Sequence, residues 1–549
     1  MNRQWSWGGM IVPLLLMLTS CVSVLAQPAL LPNQAFTEIA SNAEAAHVVP
    51  VSNVAPTLPL AVLPALVNEL HDGMAEHADQ ATLLALVQSG QGNQAFLEAF
   101  HLGDELFEAQ FNAIDGVGAQ VGQGLRFTQT PRTDLTGPGE WANHFPKRIT
   151  GPNAEACNQC HGSPFDDGAG RAINNNVRDP GHTGNPGQFI VRNTPHLFAA
   201  GAVQVLAEEM TEELQAQQAA ASAHVCTTNQ PTTVTLNAKG ITFGELIIIP
   251  QATTPCSVTV DTSGVVGVNP DLVVRPFQWK GVIASVRAFN RDAAHQELGM
   301  QAVEIVGVGV DGDGDGVVNE LTVGDQTALA LYVAAQPRPT TRLELANLGL
   351  IDPLTDAEKR AIIQGGQRFH QNGCTHCHTP QLTIADPIFY EPSQNPAYRD
   401  QQFPAGQDPV ALGVDPAQPI AFDLTQDQPD NQITGGETLY HLGAFERTSA
   451  GGALIPLYGD LKRHDMGVEL AETINDEGIP ATVFLTENLW GVGSTAPYLH
   501  DGRATTLTEA ILAHGGEGAA SRTAFVNLSP TDQAAIIAFL NNLVLFKAP

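Results

Sequence analysis

Leu, Val and Phe recur every three to four positions over 65–89 and again over 93–111, a spacing that predicts two helices. A third is expected over 201–221, where Val203, Leu206, Met210 and Leu214 fall on one side. The pattern then changes. Thr and Val alternate over 226–274, as in Val234-Thr235-Leu236 and Ser257-Val258-Thr259-Val260, and predict a small β insertion. Helical spacing returns over 281–300. The last helix is the best marked: Ser529 as N-cap, Pro530 at the first helical position, Asp532 completing the cap, then an apolar run from Ala534 to Phe546. Near the start, Arg3 precedes an apolar run over 10–18 that is too short to span a bilayer and reads as an export signal. Leu18-Thr19-Ser20-Cys21 has the form of a lipoprotein cleavage box, which would leave a lipidated Cys21; cleavage after Ala26 is the alternative.

Charge narrows the partners. Acidic residues number 57 against 25 basic ones, a formal net charge of -32. No surface of that balance neutralises a phosphate backbone, so nucleic acid is excluded as a partner. The balance suits a periplasmic or otherwise extracytoplasmic protein, with the membrane reached only through a lipid anchor.

The cysteines carry the chemistry. Cys157-Asn158-Gln159-Cys160-His161 and Cys374-Thr375-His376-Cys377-His378 repeat one motif. Two thiols three positions apart can each add to a haem vinyl group, and the adjacent His then lies under the iron. Two covalently bound haem c groups are expected, with His161 and His378 as proximal ligands. A zinc knuckle would need a second Cys or His pair close by, and the two motifs lie far apart. Cys226 and Cys256 bracket most of the β insertion and read as a disulfide of an oxidising compartment; Cys21 is the odd cysteine. A second cation motif runs through Asp311, Asp313, Asp315, Gly316 and Asn319, the front of an EF-hand-like calcium loop. Its twelfth place is Thr322 rather than Glu, and Glu320 or Asp325 could close the site instead.

The expected architecture is mainly α, with two cytochrome c-like haem domains and a small β insertion in the first half. The expected order is a signal peptide over 1–26 (or 1–20 before a lipidated Cys21) and a partly helical extension over 27–90. A first haem domain follows over 91–342, containing the β insertion and the calcium-type loop 311–322, and a second over 343–549.

Thr495-Ala496-Pro497-Tyr498-Leu499-His500-Asp501-Gly502-Arg503, followed by Thr506-Leu507-Thr508-Glu509-Ala510, resembles the signature of bacterial di-haem cytochrome c peroxidases and of the related enzymes that mature a tryptophan-derived quinone. With Arg463-His464-Asp465-Met466-Gly467 and His514-Gly515-Gly516-Glu517, the chain is more similar still to the bacterial di-haem c-type oxidoreductases, often labelled thiol oxidoreductases or peroxidases. Arg192-Asn193-Thr194-Pro195 resembles the segment after the first haem of the peroxidases. The resemblance covers most of 95–546, apart from the β insertion.

What the resemblance implies can be placed residue by residue. The sixth ligand of the C-terminal haem follows the signature His by 14 residues, which gives His514. Peroxidases have Met there and the quinone-maturing enzyme Tyr, so His514 implies bis-His ligation with His378 and a lowered potential. His464 and Met466 are the rival ligands, and His500 belongs near the haem edge. An inter-haem calcium ion is implied at Asn193, Thr495 and Pro497. His182 is the candidate distal group of the first haem, with His196 second. The Trp of the peroxidases is missing, and Glu208 falls in its place, so Glu208 and Glu209 become acid–base candidates and Trp279 the candidate aromatic near the haems. The segment around Trp279 and Phe289 faintly resembles the di-haem oxygenases that cleave rubber. The implied function is a peroxidase-like oxidoreductase with one catalytic and one electron-transferring haem, a small redox protein as electron donor or acceptor, and peroxide or another small oxidant as substrate. A pure electron carrier and an oxygenase of a hydrophobic substrate are the alternatives.

Overall fold

The structure is a computed structural model, and it describes residues 76–547 except 120, 122–124, 138, 139, 142, 254, 436 and 437. The export signal, Cys21 and most of the N-terminal extension lie outside the described residues.

Two helix pairs of one design hold the molecule together. Helices α1 (Gln80–Gln88) and α2 (Gly92–Glu108) open the described chain. Helix α3 (Ala200–Thr228) is long, α4 (Val286–Ala293) short, and α5 (Val323–Ala334) is buried at all of its positions. Helices α6 (Asp356–Gln371), α7 (Leu507–Ala513) and α8 (Pro530–Leu540) follow. In the first pair α2 crosses α5 where Gly103 lets the backbones meet; a Cβ on Gly103 would overlap the Ala328 carbonyl. In the second pair α6 crosses α8 at Gly365, whose Cβ would overlap the Ala535 carbonyl. One turn further on, Phe107 packs on Tyr332 and Phe369 on Phe539, with ring centroids 5.4 Å apart in both pairs. The same two Phe rings reach the motif histidines, at 6.0 Å (Phe107–His161) and 6.2 Å (Phe369–His378). Each Cys-Cys-His motif therefore sits against the crossing of its own helix pair. Replacing Gly365 with Ala is expected to force these backbones apart, costing roughly 1–3 kcal/mol; a thermal melt would show it, while Gly366→Ala, where the nearest atom is 3.4 Å away on a ring, should be close to neutral.

The mainly α expectation fails. Helix covers 35% of the chain and strand 15%, in seven small sheets among the described residues. Most of these sheets are ribbons of two to four residues per strand, such as Asn176–Arg178 with Ile190–Arg192 and Arg463–Asp465 with Val483–Leu485. Runs that short carry no readable alternation. The β insertion is present as an antiparallel sheet of β1 (Thr232–Ala238), β2 (Ile241–Gln251) and β3 (Ser257–Asp261), in that order. Leu236, Phe243, Leu246 and Ile248 bury one face in the main core with Leu214 and Val225 of α3. The Cys226–Cys256 disulfide forms, and it fastens the last turn of α3 beside β3.

Other boundaries move for local reasons. Residues 65–75 of the first expected helix lie outside the described residues; the first described helix begins at Gln80, where Asp79 accepts from the amides of Ala81 and Thr82. The helix expected over 201–221 runs on to Thr228, through the start of the expected insertion. Over 281–300 the chain forms α4 and then one π turn, Ala294–Leu298. The final apolar run breaks at Leu540, and Leu543–Val544 pairs with Thr340–Thr341.

Candidate functional site

Helix α6 ends at Gln371, and Gly373, with φ +81°, turns the chain into the Cys374–His376 turn. His378 then projects into an open cavity with about 1730 Å³ of space between atoms, mouth included, lined also by Cys374, Cys377, Phe369, Leu507 and Leu540. Its Nδ1–H donates to the Tyr458 carbonyl at 3.1 Å. His514 caps α7, a helix whose start is fixed by reciprocal Thr506–Glu509 bonds, and its Nδ1–H donates to the Ala510 carbonyl at 2.7 Å. Both carbonyls can only accept, so Nε2 of each ring is left bearing its lone pair. The ring centroids lie 6.4 Å apart, with an interplanar angle of 58°. Two imidazoles on one metal, each bonded at about 2 Å with a ring radius of about 1.2 Å, put their centroids roughly 6.4 Å apart. Burial pushes His378 down to about 4, helped by the charge of His514, and burial lowers His514 as well. Both rings are therefore neutral near pH 7, as a ligand must be.

The rival ligand His464 is committed elsewhere. Its Nε2 bonds Asp460 at 2.9 Å and its Nδ1 bonds Glu517 at 2.7 Å. Burial opposes its charge, but these bonds outweigh it and raise the imidazole to about 11, so it is a cation with no lone pair to offer. Met466 lines the same cavity. His500 lines it too, stacked on Phe484 at 4.4 Å.

The first motif builds a second cavity, of about 1330 Å³ on the same measure. His161 follows the Cys157–Gln159 turn and donates from Nδ1 to the Gly168 carbonyl at 3.3 Å. Burial pushes it down to about 4. Burial also pushes the thiols of Cys157 and Cys160 up to about 12, and raises that of Cys374. Each motif thus sets two cysteines three positions apart beside a buried, neutral imidazole, the donor set that covalent haem attachment uses. Cys160, His161 and His196 line this cavity with Phe277, Phe289, Gln296 and Glu297. His196 donates to the Trp490 carbonyl at 3.1 Å from Nε2, and its Nδ1 is buried with no partner among the described residues. Burial pushes Glu297 up to about 8, against the charge of Arg178. Asp292, on the same wall, is also raised by burial.

The two cavities share a wall. Asn193, Thr194, Pro195, His196, Trp279 and Glu487 face both. The Trp279 indole donates to the Asn193 carbonyl at 2.8 Å, which holds the ring between the cavities. Asn193 in turn donates from its backbone to the His500 carbonyl at 2.7 Å. Thr495 and Pro497, the other two residues of the implied inter-haem calcium site, line one cavity with Asn193. Burial alone pushes Glu487 up to about 7.

Three expected residues lie elsewhere. His182 stacks on Trp141 at 4.9 Å, beside His144, and lines neither cavity. Glu208 accepts from the Gln204 amide at 2.8 Å, and burial pushes it up to about 7; it too is away from both cavities. Glu209 is tied to Lys239 and accepts from the Ala385 amide at 2.7 Å, a structural role. Conversely, sequence reasoning missed Gln296, Glu297, Asp292 and Glu487. The first two sit on the π turn, whose five-residue step throws them to a face that helical periodicity does not predict.

Residues 442–543 match the family described as "Di-haem oxidoreductase, putative peroxidase". That span holds Arg463–Gly467, the 495–503 signature and His514, so the C-terminal resemblance is borne out. No curated protein matches the chain. Among solved structures it is similar to a MauG-like protein associated with microbial copper homeostasis, at 14% identity over 54% of this chain and 78% of that one, with a TM-score of 0.25. A score that low carries no argument about fold or activity.

Proposed function

We propose, on the premise that residues 442–543 belong to the di-haem oxidoreductases, that this chain is an exported peroxidase-like enzyme with unequal haem sites. The observation that carries the proposal is the asymmetry of the two cavities. One sets two neutral imidazoles at the spacing of a shared metal. The other sets the motif histidine His161 and His196, which is held by the Trp490 carbonyl, among buried carboxyl groups.

In this reading Cys374, Cys377, His378 and His514 hold a closed haem that passes electrons, and Cys157, Cys160 and His161 hold a haem with an accessible face. The haems supply the one-electron chemistry. The chain supplies the rest. Trp279 bridges the two cavities as an aromatic path, and its hydrogen bond to Asn193 fixes its plane. Glu297, beside Gln296, accepts or returns a proton at the substrate, in a cavity that Phe277 and Phe289 keep apolar. A calcium ion at Asn193, Thr495 and Pro497 would stiffen the shared wall. The Cys226–Cys256 disulfide supports an extracytoplasmic site of action. No helix among the described residues is long and apolar enough to cross a membrane.

The same apolar lining supports a second reading, an oxygenase of a hydrophobic substrate, which oxygen uptake on adding an apolar polyene would reveal. The test of the main reading is a carbon monoxide titration of the fully reduced, haem-loaded protein. One CO per two haems is expected. None would make the chain an electron carrier, and two would refute the closed C-terminal centre.

A further inference from the structure

We propose that the turn 311–320 is a calcium site with Asp311, Asp313 and Asp315 as its carboxylate ligands, and that the ion braces the wall of the first cavity. Gly314 and Gly316, with φ of +78° and +97°, curl the backbone so that one oxygen from each of the three Asp residues lies within 4.8 Å of the others. Asp311 accepts from the amides of Gly314, Asp315 and Gly316, which sets the curl without any ion. Asp315 is held by Arg126 at 3.1 Å.

Acidic turns of this kind are common, and two further observations distinguish this one. Both carboxylate oxygens of Asp313 are shielded from solvent and have no hydrogen-bond partner among the described residues. So does Oε1 of Glu320, a residue only 2% exposed. Glu320 is tied to the turn: its Oε2 accepts from the Gln301 amide at 2.7 Å, and the Gln301 side chain accepts from the Gly312 amide at 2.9 Å. The charges of Asp313 and Asp315 both act on it. Leaving a carboxylate buried and unpaired is costly. Four acidic side chains (Asp311, Asp313, Asp315, Glu320) thus gather against two guanidinium groups, Arg126 and the buried Arg148. The donors are all hard oxygens, which selects calcium over softer metals.

The turn's anchor explains the effect on the cavity. Gln301 lies just beyond the π turn that carries Gln296 and Glu297, and Arg148 donates to the Gly299 carbonyl at 3.3 Å between them. A cation that pulls in Asp313 and Glu320 thereby fixes the end of that turn. The site itself stands whatever the haems do; only its effect on the cavity rests on the proposed function.

The test uses the full-length, haem-loaded protein, stripped with a chelator and titrated with calcium chloride in a calorimeter. Asp313→Asn and Asp311→Asn should each bind one calcium ion fewer than the wild type, whatever is bound at Asn193. Saturating calcium should raise the melting temperature of the wild type by about 2–5 °C more than that of either variant. Asp311→Asn keeps an oxygen to accept the turn's amide bonds, so it decides the matter if Asp313→Asn does not fold. Equal stoichiometry and equal melting shifts in wild type and variants would overturn the proposal and leave Arg126 and Arg148 as the sole counter-charges.

Discussion

Replacing His514 with alanine is expected to raise carbon monoxide binding from one to two molecules per protein, and to shift the C-terminal haem from a low-spin to a high-spin spectrum. The argument rests on what remains when the imidazole goes. His464 cannot take its place, because Asp460 and Glu517 occupy both of its nitrogens and keep it charged. His500 is stacked on Phe484. The Met466 thioether is the one rival free to move, and recruiting it would leave CO binding at one but raise the reduction potential towards His/Met values. Visible spectra of the reduced variant therefore separate three outcomes. Two CO per protein confirms His514 as the ligand, one CO with a raised potential confirms it with Met466 as substitute, and a spectrum identical to the wild type sinks the assignment. Haem content should be unchanged in all three, since Cys374, Cys377 and His378 are untouched.

How far the chain could be read before folding differs from residue to residue. The haem motifs, the disulfide and the Ser529 cap were legible because each is a local signal with fixed spacing. His514 was singled out only through a family pattern; nothing in its own neighbourhood of the sequence distinguishes it from any other histidine. Helix α5 escaped because it is buried on every side, and a helix without a polar face has no period to detect. The short ribbons escaped for a similar reason, and with them went the mainly α expectation. Glu208 and Glu209 were chosen by ungapped counting, which cannot see which way the long α3 turns its side chains, and neither lines one of the two cavities. The repeated crossing was in principle visible: Gly103 and Phe107, Gly365 and Phe369, share one four-residue step. A tight crossing demands a glycine and the next turn supplies the ring, yet neither residue is distinctive until its partner helix is known.

Glu297→Gln is expected to lower peroxide turnover by about 10²–10³-fold while leaving haem content and CO stoichiometry as they are. The substitution keeps the shape of the side chain, and its amide can still pair with Asn176, which bonds Glu297 in the native protein. What it removes is a group that can gain and lose a proton. Burial raises that group to about 8, against the pull of Arg178. A carboxyl raised in this way is mostly protonated at pH 7, and only its ionised form can take a proton from peroxide. The wild-type rate should therefore climb as pH rises from 6 to about 9, passing its half-way point near 8, and level off above, whereas the Gln variant should be flat across that range. Glu208→Gln is the control: burial raises that carboxyl as well, to about 7, but it lines neither cavity, so rate and profile should match the wild type. If Glu297→Gln kept both the rate and the climb, the proton would have to move elsewhere, and Asp292, raised by burial on the same wall, would be the residue to replace next.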